Sequence, residues 1–252
     1  MPPIRVFSRP EDLFEAAAET FIRIANAAVR KKGVVNVALS GGSTPKALYS
    51  LLASKPAGTV PWGEIRFFWG DERHVPPDHP ESNYRMAHEA MLSLVPVRDE
   101  NVFRVKSENP DPAAAASDYE NTLRNAFRLT AGQLPRFDLI LLGLGPDGHT
   151  ASLFPHTPAL HDCSHLVVAN WVEKLKTHRI TLTFPVLNAS DNVLFLVAGK
   201  DKASALKAVF DPASDPDEFP AKRVHPAGQL LWLVTQDAAS ELTGKAPPVS
   251  SE

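Results

Sequence analysis

Cysteine is almost absent from this chain: Cys163 is the only one in 252 residues. No internal disulfide can form and no thiol cluster exists for zinc, so a reducing compartment is expected. An excess of either charge is also missing, with 26 Lys and Arg against 29 Asp and Glu and a formal net charge of −3. That balance argues against the broad basic face of a nucleic-acid or membrane-surface protein. It leaves room for an anionic small molecule, which needs only a few well-placed cations. No apolar run nears the roughly 18 residues of a membrane span. The opening "MPPIRVFSRPEDL" has neither the apolar core nor the small-residue cleavage site of a signal peptide. Internal repeats and low-complexity tracts are lacking too. The expectation is a cytoplasmic protein, a monomer or weak homodimer, with no nucleic-acid or membrane partner.

What the chain does have is a large apolar fraction, 44%, and 23 prolines. The apolar fraction suffices for a full core, read as one domain over residues 1–252. The prolines fall mainly between predicted elements, as in "VPPDHPES" and "ENPDPAAA". Residues 11–33 read as an amphipathic helix closed by Gly33, and 34–40 as a buried strand. Helices follow at 44–54, 82–95 and 112–127, with Pro45 in a first turn and Ser82 as a cap. "EIRFFWGDE" and "FDLILLGLG" are strands. After them come the strands "HLVVAN", "RITLTFPVL" and "NVLFLVAG", the helix "DKASALKAVF" and the strand "LLWLVT". Strands alternating with helices, several apolar on both faces, predict an α/β, Rossmann-like domain: a mostly parallel sheet covered by helices on both faces. Ligands of such sheets sit at the carboxyl ends of the strands.

Three strands end in polar loops. "GLGPDGHT" places Asp147 and His149 two residues apart on a glycine-rich turn, an arrangement suited to a general base. Its glycines also suit backbone amides aimed at a developing oxyanion. The stretch formally matches GxGxxG, but Pro146, Pro155 and Pro158 oppose the helix that a dinucleotide fingerprint opens. "SGGST" runs from a strand into a helix, where Gly41 and Gly42 allow close approach and Ser43 and Thr44 offer donors to an anion. A tight turn with an N-cap would look the same, and the nucleotide-binding GxxxxGK[ST] is absent. "GDERHVP" presents Arg73, a fork donor for phosphate or a polarised carbonyl, or a surface partner of a neighbouring carboxylate. "EKLKTHRIT" adds Lys174, Lys176 and Arg179 at a strand entrance, either solvated charge or cations for an acidic substrate. A metal on Asp71, Asp147 and His149 is conceivable, yet no ligand spacing such as HExxH supports it; no metal is expected.

Together "LSGGSTPKALY", "FFWGDERHVPPDHPESNYRMA", "FDLILLGLGPDGHTASLFP", "RITLTFPVLN" and "VHPAGQLLWLVTQDAA" resemble the 6-phosphogluconolactonase family, in the family's order and over nearly the whole chain. "GPDGHTASLFP" is the specific part; "SGGSTP" is shared with related sugar-phosphate enzymes. The resemblance implies hydrolysis of 6-phosphoglucono-1,5-lactone to 6-phosphogluconate without a cofactor, the second step of the oxidative pentose phosphate pathway. It implies His149 as the base that activates water, with Asp147 orienting the imidazole. Arg73, Lys174 and the "GGST" loop would hold the phosphate, with Arg179 as a further ligand. Gly42 and Gly145 would donate amides to the oxyanion. Family members often carry prolines between the Lys and the Arg, where this chain has Leu175, Lys176, Thr177 and His178, so Lys174 and Lys176 both remain candidates. An unperturbed His149 would titrate near 6.5. The related glucosamine-6-phosphate deaminases place a catalytic Glu five residues after the His, where this chain has Phe154.

Overall fold

Four consecutive buried aliphatic residues make β5 (Leu139–Leu142), and five buried residues make β2 (Val35–Leu39). A strand with no polar face must be covered on both sides, and these two lie side by side in the middle of a sheet. The computed structural model describes residues 3–242. In it, β1 (Ile4–Phe7), β9 (Gln229–Thr235), β8 (Asn192–Val197), β5, β2 and β3 (Ile65–Trp69) form a sheet in that order, every pair parallel. The predicted mostly parallel α/β sheet is therefore present. The short first strand went unread because four residues carry too little pattern.

The helices follow from local sequence. Helix α1 (Pro10–Lys32) begins with Pro10, Glu11 and Asp12 and ends with Arg30, Lys31 and Lys32, each sign complementing the helix dipole. Leu13, Ala17, Phe21, Ile24 and Ala28 give it one buried face. Helices α2 (Ser43–Ala53), α3 (Asn83–Ala90), α4 (Pro112–Phe127), α5 (Phe184–Asn188) and α6 (Ala203–Phe210) follow. Helix α3 is shorter than its predicted span: the chain leaves helical dihedrals at Met91, φ −148°, where the Met91 side chain is fully buried. Ser82 is its cap, accepting from the Arg85 amide at 3.1 Å and donating to Glu72 at 3.2 Å. Ser82→Ala is expected to cost about 1 kcal/mol, seen as a fall in melting temperature of about 2–4 °C.

Two sequence readings are corrected. "EIRFFWGDE" is not one strand: the chain turns at Gly70, and β4 (Asp71–Arg73) leaves the large sheet. Gly70 joins both sheets, donating to Leu39 O and accepting from the Leu182 amide. β6 (Val167–Val172) and β7 (Thr177–Leu182) do not extend the parallel alternation either. They pair antiparallel with each other, and β7 with β4, in a three-stranded sheet packed on α4. Only residues 173–176 separate β6 from β7; a parallel crossover needs about a dozen.

The order of strands positions the site. The chain steps one way from β1 to β2 to β3, then back through β5, β8 and β9. Helices α1 and α2 pack against each other, as two successive crossovers of one hand in the same direction require, and α3 packs on α2. The direction changes between β2 and β5, so the loops leaving those two strands diverge and open a crevice at their carboxyl ends.

Candidate active site

Residues 40–42 form one wall of the crevice, between β2 and α2. Gly42 is the residue before the helix, with φ 106°, a backbone state that side chains resist. No side chain caps α2, which leaves the first amides of Ser43 and Thr44 facing outward with the positive end of the helix. Gly41 is required for another reason: a Cβ there would lie 1.9 Å from Asn83 Oδ1. Asn83 is locked by donating to Asp71 O at 3.0 Å, while its own amide is held by Glu72 at 2.7 Å.

The opposite wall is the loop after β5. His149 Nδ1 lies 2.5 Å from Asp147 Oδ1, and the His149 ring stacks on Phe154 with centroids 4.0 Å apart. The carboxylate places the ring proton on Nδ1 and leaves Nε2 as the acceptor. Burial pushes the His149 imidazolium down to about 4, with Lys202, Arg179 and Arg73 adding to the shift and Asp71 opposing it. His149 is therefore not an unperturbed imidazole: a desolvated ring facing three cations resists a further positive charge. No helix opens after the glycines, so the dinucleotide pattern has no structural counterpart here.

The Gly145 amide, expected to meet an oxyanion, is already engaged in this structure. It donates to His149 O at 2.8 Å, which closes the turn. The Gly42 amide carries no such bond and borders the same cavity.

Arg73 and Arg179 sit directly opposite each other across β4 and β7. Arg73 lines the crevice and donates to Glu81 O at 2.8 Å. Burial, and then the neighbouring Arg73 charge, push the Arg179 guanidinium below its ordinary range. Like charges facing across a ladder repel; an anion between them removes the repulsion. Lys174 is placed differently from expectation. Its ammonium pairs with Asp147 and lies 4.7 Å over the Phe154 ring, so it braces the His149 loop and does not line the cavity. Lys176 pairs with the exposed Glu173 and does not line the cavity.

The cavity between the walls has a volume of about 200 Å³, bordered by Ser40, Gly42, Asp71, Arg73, His149 and Lys202 among others. A second hollow of about 220 Å³ shares Gly42, Arg73 and Asn83 with it and adds Ser43 and Lys46. Sequence reading missed Lys202 and the cavity role of Asp71, whose Oδ2 accepts from Ser152 at 2.6 Å. Lys202 follows Gly199 just past β8, the carboxyl end of another parallel strand, and that position was the available signal. Among the described residues, no group of three His, Cys, Asp or Glu side chains has the arrangement of a metal site, and no helix is long and apolar enough to cross a membrane.

Comparison with known proteins agrees with this layout. Residues 8–232 match the family described as glucosamine-6-phosphate isomerases/6-phosphogluconolactonase. A 6-phosphogluconolactonase of a Synechocystis species is 44% identical over 241 residues, covering 96% of this chain and 98% of its own. The structure of 6-phosphogluconolactonase from Trypanosoma cruzi superposes with a TM-score of 0.84 at 31% identity, over 97% of this chain and 98% of that one. That of the Thermotoga maritima 6-phosphogluconolactonase gives 0.81 at 32% identity, over 94% and 100%. With the match running through both walls of the crevice, the chain belongs to the glucosamine-6-phosphate isomerase/6-phosphogluconolactonase family.

Proposed function

We propose that this protein hydrolyses 6-phosphoglucono-1,5-lactone to 6-phosphogluconate in the cytoplasm, with His149 as general base. The observation that carries the reading is an imidazole, held by Asp147 through Nδ1, in one crevice with Arg73, Lys202 and the start of α2. His149 Nε2 takes a proton from water, and the resulting hydroxide adds to the lactone carbonyl carbon. The negative charge moves to the carbonyl oxygen, where the Gly42 amide is available to it. The intermediate collapses by breaking the bond to the ring oxygen, which takes the proton back from Nε2. The product acid then ionises. Asp147 holds the ring through Nδ1 and favours the transient imidazolium, and Lys174 holds Asp147 in turn.

The phosphate fits the other end, among the Ser43 and Thr44 amides, Arg73, Arg179 and Lys202. Five charged or dipolar donors there suit a dianion and would otherwise repel one another. A deaminase-like reaction lacks its carboxylate, because Phe154 occupies that position and stacks on His149.

The test is stopped-flow hydrolysis of freshly generated lactone across pH, with the spontaneous rate subtracted. The working form of His149 is the neutral one, which predominates above its depressed value of about 4. The enzymatic rate is therefore expected to be flat from about pH 5 to 8 and to fall only in more acid solution. A limb centred near 6.5 overturns the depressed ionisation. A rate equal to background at every pH overturns the lactonase reading.

A further inference from the structure

Ser40 is the first residue after β2, and it borders the cavity with His149 on the far wall. Its backbone is fully engaged. The Tyr49 hydroxyl accepts from Ser40 N at 2.9 Å and donates to Ser40 O at 2.8 Å. Its side chain is not engaged: Ser40 Oγ is buried and has no hydrogen-bond partner. The other such atoms among the described residues, Nε1 of Trp69 and Trp232, belong to residues that do not line the cavity. A buried hydroxyl without a partner destabilises the fold, and such groups are rare in native proteins. Alanine would fit the same place without that cost.

The two ends of the proposed substrate are already served, the phosphate by cations and helix amides, the carbonyl carbon by the water that His149 activates and the carbonyl oxygen by the Gly42 amide. The ring between them carries neutral hydroxyl groups. A serine hydroxyl complements a sugar hydroxyl because each both donates and accepts. Serine χ1 has three staggered wells, so turning Oγ toward the cavity is a single-bond rotation.

We propose that Ser40 is a specificity-determining residue whose hydroxyl pairs with a ring hydroxyl of the sugar lactone. The inference rests on the lactonase reading and makes the site selective for hydroxylated over deoxygenated rings. A site that pairs a substrate hydroxyl rejects the analogue lacking it, because its own polar group is then left unpaired.

The experiment compares wild type and Ser40→Ala on the parent lactone and on its 2-, 3- and 4-deoxy analogues. The expected result is at least a roughly tenfold loss of kcat/KM for Ser40→Ala on the parent, with the two proteins equal on one deoxy analogue. The unliganded variant is expected to melt no lower than wild type, since the removed hydroxyl was unpaired. An equal loss on all four substrates, no loss on the parent, or a lowered melting temperature overturns the role. Calorimetric binding of 6-phosphogluconate separates the two readings. If wild type shows no turnover, the lactonase reading fails, and unchanged affinity in Ser40→Ala then overturns the Ser40 role as well.

Discussion

His149→Ala is expected to lower kcat by about 10²–10⁴-fold, the usual contribution of a positioned general base. KM should change little. The proposed phosphate ligands come from other elements: Arg73 from β4, Arg179 from β7, Ser43 and Thr44 from α2, and Lys202 from the segment before α6. None of them hydrogen-bonds to the His149 ring, whose contacts are Asp147 and the Phe154 face. The fold should persist, because the turn around His149 is closed by backbone: Gly145 N donates to His149 O and Gly148 N to Gly145 O. Removing the ring also relieves an electrostatic penalty in acid. With the folded value near 4 and the unfolded value near 6.5, the unfolded chain binds the extra proton between those values. Wild type therefore loses stability as pH falls through that window, and His149→Ala should lose less. Stopped-flow kinetics and melting curves at pH 5 and 7 check both halves. A variant retaining turnover within a few-fold of wild type would assign the base elsewhere, with Asp71 the nearest alternative lining the cavity.

Much of this site was legible as sequence because its loops announce themselves at the ends of apolar strands. β2 and β5 are uninterrupted buried runs, and each breaks into glycine at the point where the crevice opens. The Asp147–His149 pair is local, two residues apart, so spacing sufficed to find it. What spacing could not supply was the partner of a long flexible side chain. Lys174 and Lys176 look equivalent in "EKLKTHR", yet one reaches Asp147 on another loop and the other folds back on Glu173. Lys202 lies far along the chain from every motif and comes into the cavity only because β8 lies beside β5. The small antiparallel sheet was hidden by a similar limit: apolar strands read alike whichever neighbour they choose, and only the short turn at residues 173–176 separates the cases. The ionisation of His149 depends on its burial and on cations from three separate segments, none of which its local sequence displays.

Gly145→Ala should disable the enzyme nearly as well as losing the base, by about 10²–10³-fold in kcat, although it adds only a methyl group. A Cβ at this position would lie 2.0 Å from His149 Nδ1, 2.2 Å from Cε1 and 2.7 Å from Asp147 Oδ1. These contacts are impossible, so either the imidazole or the carboxylate must move, and the 2.5 Å bond between them cannot survive in place. A displacement of about 1 Å in a reacting group can cost 10²-fold. Backbone strain does not enter, since Gly145 is not among the positive-φ positions. Alanine also keeps the amide that donates to His149 O. The stability cost should stay within the roughly 1–3 kcal/mol typical of an overpacked site. The decisive comparison is the double variant. If Gly145→Ala acts by displacing His149, then adding it to His149→Ala removes nothing further, and the doubly substituted enzyme should match His149→Ala alone. Multiplying losses would mean that Gly145 serves the reaction by some route other than the imidazole, and the close packing of this glycine against the base would lose its functional meaning.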